Sequence, residues 1–232
     1  MTKLGPNIIK KCPSCSGLFS QQSYASYNNF GAQRWTDGTI KGLMLPSQPE
    51  AGTCPHCMAL VWVYEAEKVG ETPSIEGHHI SEWSRIQAMT PRSYERLTKS
   101  VCDQVLTSTK TLTEEKEIYL RLEYWYLANE VNRSHNLKIP FSVKVKLNLR
   151  ALLKLLEGTE DQKILIRAEI HRQLGEFEEA IRLLDYNFRD QYIIAAATIF
   201  KYAMLGNLMV QKIQEDSSVI AEWRRFRFGE RK

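Results

Sequence analysis

Two Cys-Pro-x-Cys hooks, Cys12-Pro13-Ser14-Cys15 and Cys54-Pro55-His56-Cys57, restrict what the first quarter of this chain can become. A hook places two sulfurs on one tight turn whose backbone N–H groups face them, and two hooks complete the tetrahedral four-sulfur shell of a closed zinc site. The expected ligand set is therefore Cys12, Cys15, Cys54 and Cys57 around one structural zinc ion. Iron in a rubredoxin-like site uses the same two hooks and stays open as an alternative. A closed shell leaves no coordination position for water or substrate, so the metal is expected to hold the fold and not to do chemistry. Redox chemistry of the thioredoxin kind needs one CxxC at a helix N-terminus after a strand, and duplication in a Gly-rich, strand-like context argues against it.

The other candidate ligands give way to simpler readings. His56 sits between Pro55 and Cys57 and reads as a knuckle residue, because the sulfurs already fill the shell. His78 and His79 are adjacent, point in different directions, and do not make a ligand pair. Cys102, near Val101, Val105 and Leu106 on a helical pattern, reads as a small buried hydrophobe. Four of five cysteines in hooks fit a reducing compartment with a metal better than a disulfide framework, which predicts a cytoplasmic protein.

Residues 8–67 lack helical periodicity. Val61-Trp62-Val63-Tyr64 follows the second hook as a β-branched and aromatic run, and Leu18-Phe19 after the first hook is its expected pairing partner, the hook-then-strand arrangement of a zinc ribbon. Between the hooks lie 38 residues, Ser16 to Thr53. They hold Phe30-Gly31-Ala32, then Trp35-Thr36-Asp37-Gly38, then Met44-Leu45-Pro46. Asp37-Gly38 is a hairpin-closing signal, which predicts a small β insertion. Phe30, Arg34, Trp35 and Asp37 form a candidate interaction surface, since aromatics with a few polar groups suit a ligand or a splayed base. The competing reading makes Phe30 and Trp35 the miniature core of a module too small to fold on burial alone.

Gly70, Pro73 and Gly77 mark 69–77 as a linker. From Ile80 onward, amphipathic segments of helical length alternate with polar breaks, and no stretch there reads as a strand. The predicted helices cover 80–88, 91–108, 114–133, 142–157, 161–174, 177–187, 191–205 and 208–226. Thr113 and Pro91 supply starts, and Gly158, Gly175 and Gly206 supply stops. Tyr119, Tyr124, Trp125 and Tyr126 at helical spacing read as packing residues. The end, Trp223-Arg224-Arg225-Phe226-Arg227-Phe228 with Arg231-Lys232, reads as a basic aromatic tail or a frayed terminus.

The expected architecture is α+β: a four-cysteine zinc-ribbon module over 1–69 with an inserted aromatic loop, then an α-helical hairpin domain over 78–232. Gly175-x-Phe177-x-x-Ala180-Ile181, with Ala168 on the preceding helix, resembles one tetratricopeptide repeat. Arg167 and His171 depart from the large apolar residues usual there, and a stable solenoid needs at least about three units. In the order of its features, CPSC, Phe30 to Gly38, Met44-Leu45-Pro46, CPHC and the helical half, the chain resembles a group of uncharacterised bacterial zinc-ribbon proteins with a tetratricopeptide-like C-terminal half. That resemblance implies architecture and carries no assigned activity.

A length of 232 residues, 43% hydrophobic and 25% charged, affords a real core. No apolar run approaches the ~18 residues of a membrane span. The net charge of +4 does not announce a nucleic-acid binder. The leading expectation is a non-catalytic zinc-binding adaptor with a protein partner, engaged through the helical domain and the ribbon surface. The alternative is an RNA- or DNA-associated factor using Arg34, Trp35, Lys41 and the arginine-rich tail. An enzyme comes third, because no nucleophile, base and oxyanion donor can be placed together from the sequence.

Overall fold

The computed structural model describes residues 2–73, 80–108, 111–135 and 138–228. It divides into two units, Met1–Ala32 with Lys41–Val101, and Gln33–Ile40 with Cys102–Lys232. This corrects the expected cut at 69–78 in two respects. The first unit runs on to Val101, and a segment from between the hooks belongs to the second. The pair His78-His79 and the terminal Arg231-Lys232 lie outside the described residues.

In the first unit, β1 (Lys3–Lys11) lies between β2 (Leu18–Ser26) and β7 (Lys68–Glu71) in an antiparallel sheet, with Ile9 opposite Ser20 on one side and Gly70 on the other. A shorter pair joins β5 (Ala51–Thr53) to β6 (Leu60–Trp62). The pairing thus differs from the expected one. Leu18-Phe19 pairs with β1, and Leu60–Trp62 pairs with β5, so each hook is the turn of its own hairpin. The physical reason is local: the hook itself reverses the chain, and the strands that it joins need no longer loop to meet. The expected linker is also partly strand, since 68–71 completes the sheet.

Residues 91–98 are extended and not helical. Glu95 N–H donates to Thr53 O at 2.9 Å and Thr53 N–H donates back to Glu95 O at 2.8 Å, while Ser20 N–H donates to Arg92 O at 3.0 Å. Tyr94 meets Phe19 edge-on at 6.2 Å and packs on the core of Cys12, Phe19, Cys54, Val61 and Ala66. Gly52 is what admits that ring, because a Cβ there would lie 2.3 Å from Tyr94 Cδ2. Edge hydrogen bonds and an aromatic seat outweigh the helical propensity of a short segment. Lys10 is buried beside this core, and its Nζ donates to Val63 O at 2.5 Å. Burial, with Lys68 nearby, lowers its pKa.

Two further helices precede the second unit's helical array: α1 (Ile80–Met89), and α2 (Lys99–Thr107), along which the chain passes from one unit to the other. The second unit then holds α3 (Glu114–His135), α4 (Val143–Leu155), α5 (Asp161–Leu174), α6 (Phe177–Leu184), α7 (Asp190–Met204) and α8 (Ser217–Phe228). Local signals set many of these ends. Ser142 caps α4 by accepting from Val145 N–H, and Gly175 closes α5 in the left-handed region at φ 87°, with the Glu176 N–H returning to His171 O at 2.9 Å. Helices α5, α6, α7 and α8 share a core of Ile164, Leu165, Ala168, Leu184, Phe188, Ala196, Ile199 and Trp223.

The final helix begins at Ser217, nine residues later than the periodicity predicts, because 208–216 is spent in hydrogen bonds described below. Trp223 is 1% exposed and its indole N–H donates to Leu184 O at 3.3 Å. The last aromatic stretch therefore carries core packing as well as surface arginines, in place of the expected tail.

Candidate metal centre

The two hooks converge. The Sγ atoms of Cys12, Cys15, Cys54 and Cys57 all lie within 4.8 Å of one another, with Cys12–Cys57 at 3.9 Å and Cys15–Cys54 at 3.7 Å. Sulfurs at ~2.3 Å from a tetrahedral zinc stand ~3.8 Å apart, so these spacings suit a metal. Cys12 and Cys54 are buried, and Cys15 and Cys57 face outward.

The knuckles repeat each other atom for atom. Ser14 N–H points at Cys12 Sγ and His56 N–H at Cys54 Sγ, both at 3.4 Å. Cys12 N–H donates to Gly17 O and Cys54 N–H to Ala59 O, both at 2.9 Å. The residue after each second cysteine enters the left-handed region, Ser16 at φ 60° and Met58 at φ 58°. Met58, standing where a glycine is frequent in such turns, therefore keeps the turn and loses no ligand. His56 is not a ligand: its Nε2 lies 2.8 Å from Leu18 O, so that nitrogen donates across to the other hook. Its ring crosses above Gly17, where a Cβ would come 2.6 Å from His56 Cδ2.

The thiols are electrostatically uneven. Burial raises Cys12, but N–H groups of Cys15 and Ser14 and the neighbouring sulfurs bring it down to about 7. The Gly17 N–H lowers Cys15, yet hydrogen bonds with the sulfurs of Cys57, Cys54 and Cys12, together with burial, push it up to about 12. A cation placed among the four sulfurs would favour their thiolate forms.

A left-handed L-residue costs ~1–2 kcal/mol. Met58 is 55% exposed, so little packing is lost on trimming it. Met58→Gly is expected to raise the unfolding free energy of metal-loaded protein by ~0.5–1 kcal/mol after glycine's own entropic cost. Denaturant titration checks this, and a loss of stability would refute the strain assigned to Met58.

The candidate interaction residues fall in both units. Phe30 belongs to the first unit and is 90% exposed, whereas Arg34, Trp35 and Asp37 belong to the second. Nor are Phe30 and Trp35 a miniature core of the zinc module. The expected hairpin does form, β3 (Gln33–Arg34) with β4 (Ile40–Lys41), closed by Gly38 at φ 89°. Its turn is inserted among the second unit's own segments. Thr36 N–H donates to Gln211 O at 2.9 Å, and Ile213 N–H donates to Arg34 O at 2.8 Å, which is why 208–216 is not helical.

Asp37 is fully buried and corrects the expectation of an exposed recognition group. Its Oδ2 accepts from Asn129 Nδ2 at 2.8 Å and pairs with Arg133, while Oδ1 accepts from Thr39 Oγ1 at 2.8 Å. Arg133 also lies 5.9 Å from the Trp35 ring, over its face. Beside this, Thr36 Oγ1 donates to Glu169 Oε1 at 2.6 Å, and Arg172 Nη2 donates to the same oxygen at 2.6 Å and to Met209 O at 2.8 Å. Burial raises the Glu169 carboxyl, opposed chiefly by Arg172. Trp125 Nε1–H to Gln173 Oε1, at 2.7 Å, and Gln173 Nε2 to Asn129 Oδ1, at 3.3 Å, extend the network.

Sequence reasoning missed Thr36, Asn129, Arg133, Glu169 and Gln173 as a set. One signal was present: Arg172 falls on the same helical stripe as Leu165 and Ala168, and a guanidinium at a core position requires a buried partner. Among the described residues, no helix is long and apolar enough to cross a membrane. No protein-family model, no curated protein and no solved structure matches this chain.

Proposed function

We propose that the chain is a non-catalytic adaptor in which one zinc ion, held by Cys12, Cys15, Cys54 and Cys57, fixes a ribbon-like module, and the helical unit receives a protein partner. The observation that carries the metal assignment is the four-sulfur cluster with edges of 3.7 and 3.9 Å built by two repeated knuckles. Four sulfurs and two N–H-lined turns favour zinc held for structure. The adaptor reading draws support from the α5–α6 pair. Ala168 and Ala180 are fully buried, Gly175 makes the turn, and α7 packs against both helices, features that a tetratricopeptide-like hairpin stack would have. Inside this unit Asp37 pairs with Arg133 and Glu169 with Arg172.

The nucleic-acid reading loses Trp35, whose ring face is taken by Arg133. The test is affinity capture with the full-length, zinc-loaded chain from its native cell, after nuclease treatment and at moderate salt. A reproducible, near-stoichiometric protein partner is expected. Recovery of nucleic acid alone, or binding to random oligonucleotides that falls steeply with salt, would sink the adaptor reading.

A further inference from the structure

We infer that the outward face of α4 is the docking surface of the helical unit and receives an acidic, amphipathic segment of a partner protein. This inference rests on the adaptor reading and names its surface. At 100° per residue, Val145, Asn148, Leu149 and Leu152 share one side of α4 and are buried. Val143, Leu147, Arg150 and Lys154 share the opposite side at i, i+4, i+7 and i+11, with Lys146 on its flank. Val143 is 74% and Leu147 64% exposed, and Ile139, in the segment that leads to the helix, is 49% exposed. Two branched aliphatics thus stand in water on one stripe, although the same helix already has a complete buried side.

Charge says what would cover them. From Lys138 to Leu156 the chain carries Lys138, Lys144, Lys146, Arg150 and Lys154 and no Asp or Glu. Lys144 is engaged by Asp103 at 2.6 Å and Arg150 by Glu176. Lys138, Lys146 and Lys154 are exposed, with no ion-pair partner among the described residues. An aliphatic stripe edged by unspent lysines fits a helix or extended segment that presents Leu-type side chains flanked by Glu or Asp. A phosphate backbone would use the lysines and leave Val143 and Leu147 in water. A bilayer surface needs a helix whose apolar side is available, and the larger apolar side of α4 is committed to the core.

The probe is a fluorescein-labelled helical peptide with Leu at i, i+4 and i+7 and Glu at the flanking positions, titrated by anisotropy into the full-length chain. Saturable binding is expected in the micromolar range, weakening moderately with salt. Leu147→Asp should weaken it about tenfold or more, and Lys146→Glu with Lys154→Glu should weaken it and flatten the salt dependence. Circular dichroism melts verify folding, and should Leu147→Asp misfold, Leu147→Gln and the lysine pair give the answer. Absence of saturable binding, equal binding of a scrambled peptide, equal binding by the Leu147 variants, or preference for anionic vesicles or RNA over the peptide would overturn the proposal. Cellular capture separates the two claims. A partner retained by Leu147→Asp removes the α4 face and leaves the adaptor standing, whereas no partner for the unaltered chain removes the adaptor.

Discussion

Removing the proposed zinc ion with a chelator, or replacing Cys12 and Cys54 together by Ser, is expected to unfold the first unit cooperatively. The core cluster around its hooks is Phe19, Val61 and Ala66 with Tyr94 and the two buried cysteines themselves, and with Ala51, Val63, Ile86 and Leu97 it is a small hydrophobic store to order ~90 residues alone. Apparent binding free energies of structural zinc sites, ~10–16 kcal/mol in small peptides, are folding free energies when no preformed site survives in the unfolded chain. Elemental analysis should return about one zinc per chain. Chelation should expose Trp62 to solvent, read as a shift in its emission, and restore reactivity to Cys12 and Cys54. Single replacement of an outward ligand, Cys15→Ser, should weaken zinc without abolishing the fold as completely. Full retention of the strands after zinc is stripped, or a clean absence of zinc in folded protein, would remove the clamp.

The second large effect belongs to Asp37. Asp37→Ala leaves Arg133, whose side chain is 3% exposed, with only Glu130 at 3.3 Å as a carboxylate partner, and takes an acceptor from Asn129. Breaking one side of a buried pair costs ~3–5 kcal/mol. Asp37→Ala is therefore expected to lower the urea midpoint of the helical unit by a comparable free energy, although the substitution lies between the hooks. Adding Arg133→Met should recover much of the loss, because removing both charges leaves no unpaired buried charge. A cost below ~1 kcal/mol for the single variant would mean that Arg133 reaches water or another acceptor instead.

What the sequence makes legible follows from range. The hooks are legible because two residues of spacing fix a knuckle whatever surrounds it. Helices α3 to α7 are legible because caps such as Ser142 and stops such as Gly175 act within one turn. Residues 91–98 defeat periodicity because Thr53 and Ser20, far back in the chain, offer hydrogen-bonding edges to them. The fate of Trp35-Thr36-Asp37 is illegible for the same reason at greater distance: its partners are Asn129, Arg133, Glu169 and the 209–213 stretch. Glycine, tryptophan and aspartate in a loop look like a recognition surface when the complementary charges lie about a hundred positions away.

That insertion also governs heredity. Gln33–Ile40 is encoded between the two hooks but built into the helical unit. No single cut in the gene releases either unit whole. A fragment beginning near residue 78 would take Glu169 and Arg133 with it and leave Thr36 and Asp37 behind. Moving the helical half alone onto another protein would therefore separate Glu169 and Arg133 from Thr36 and Asp37.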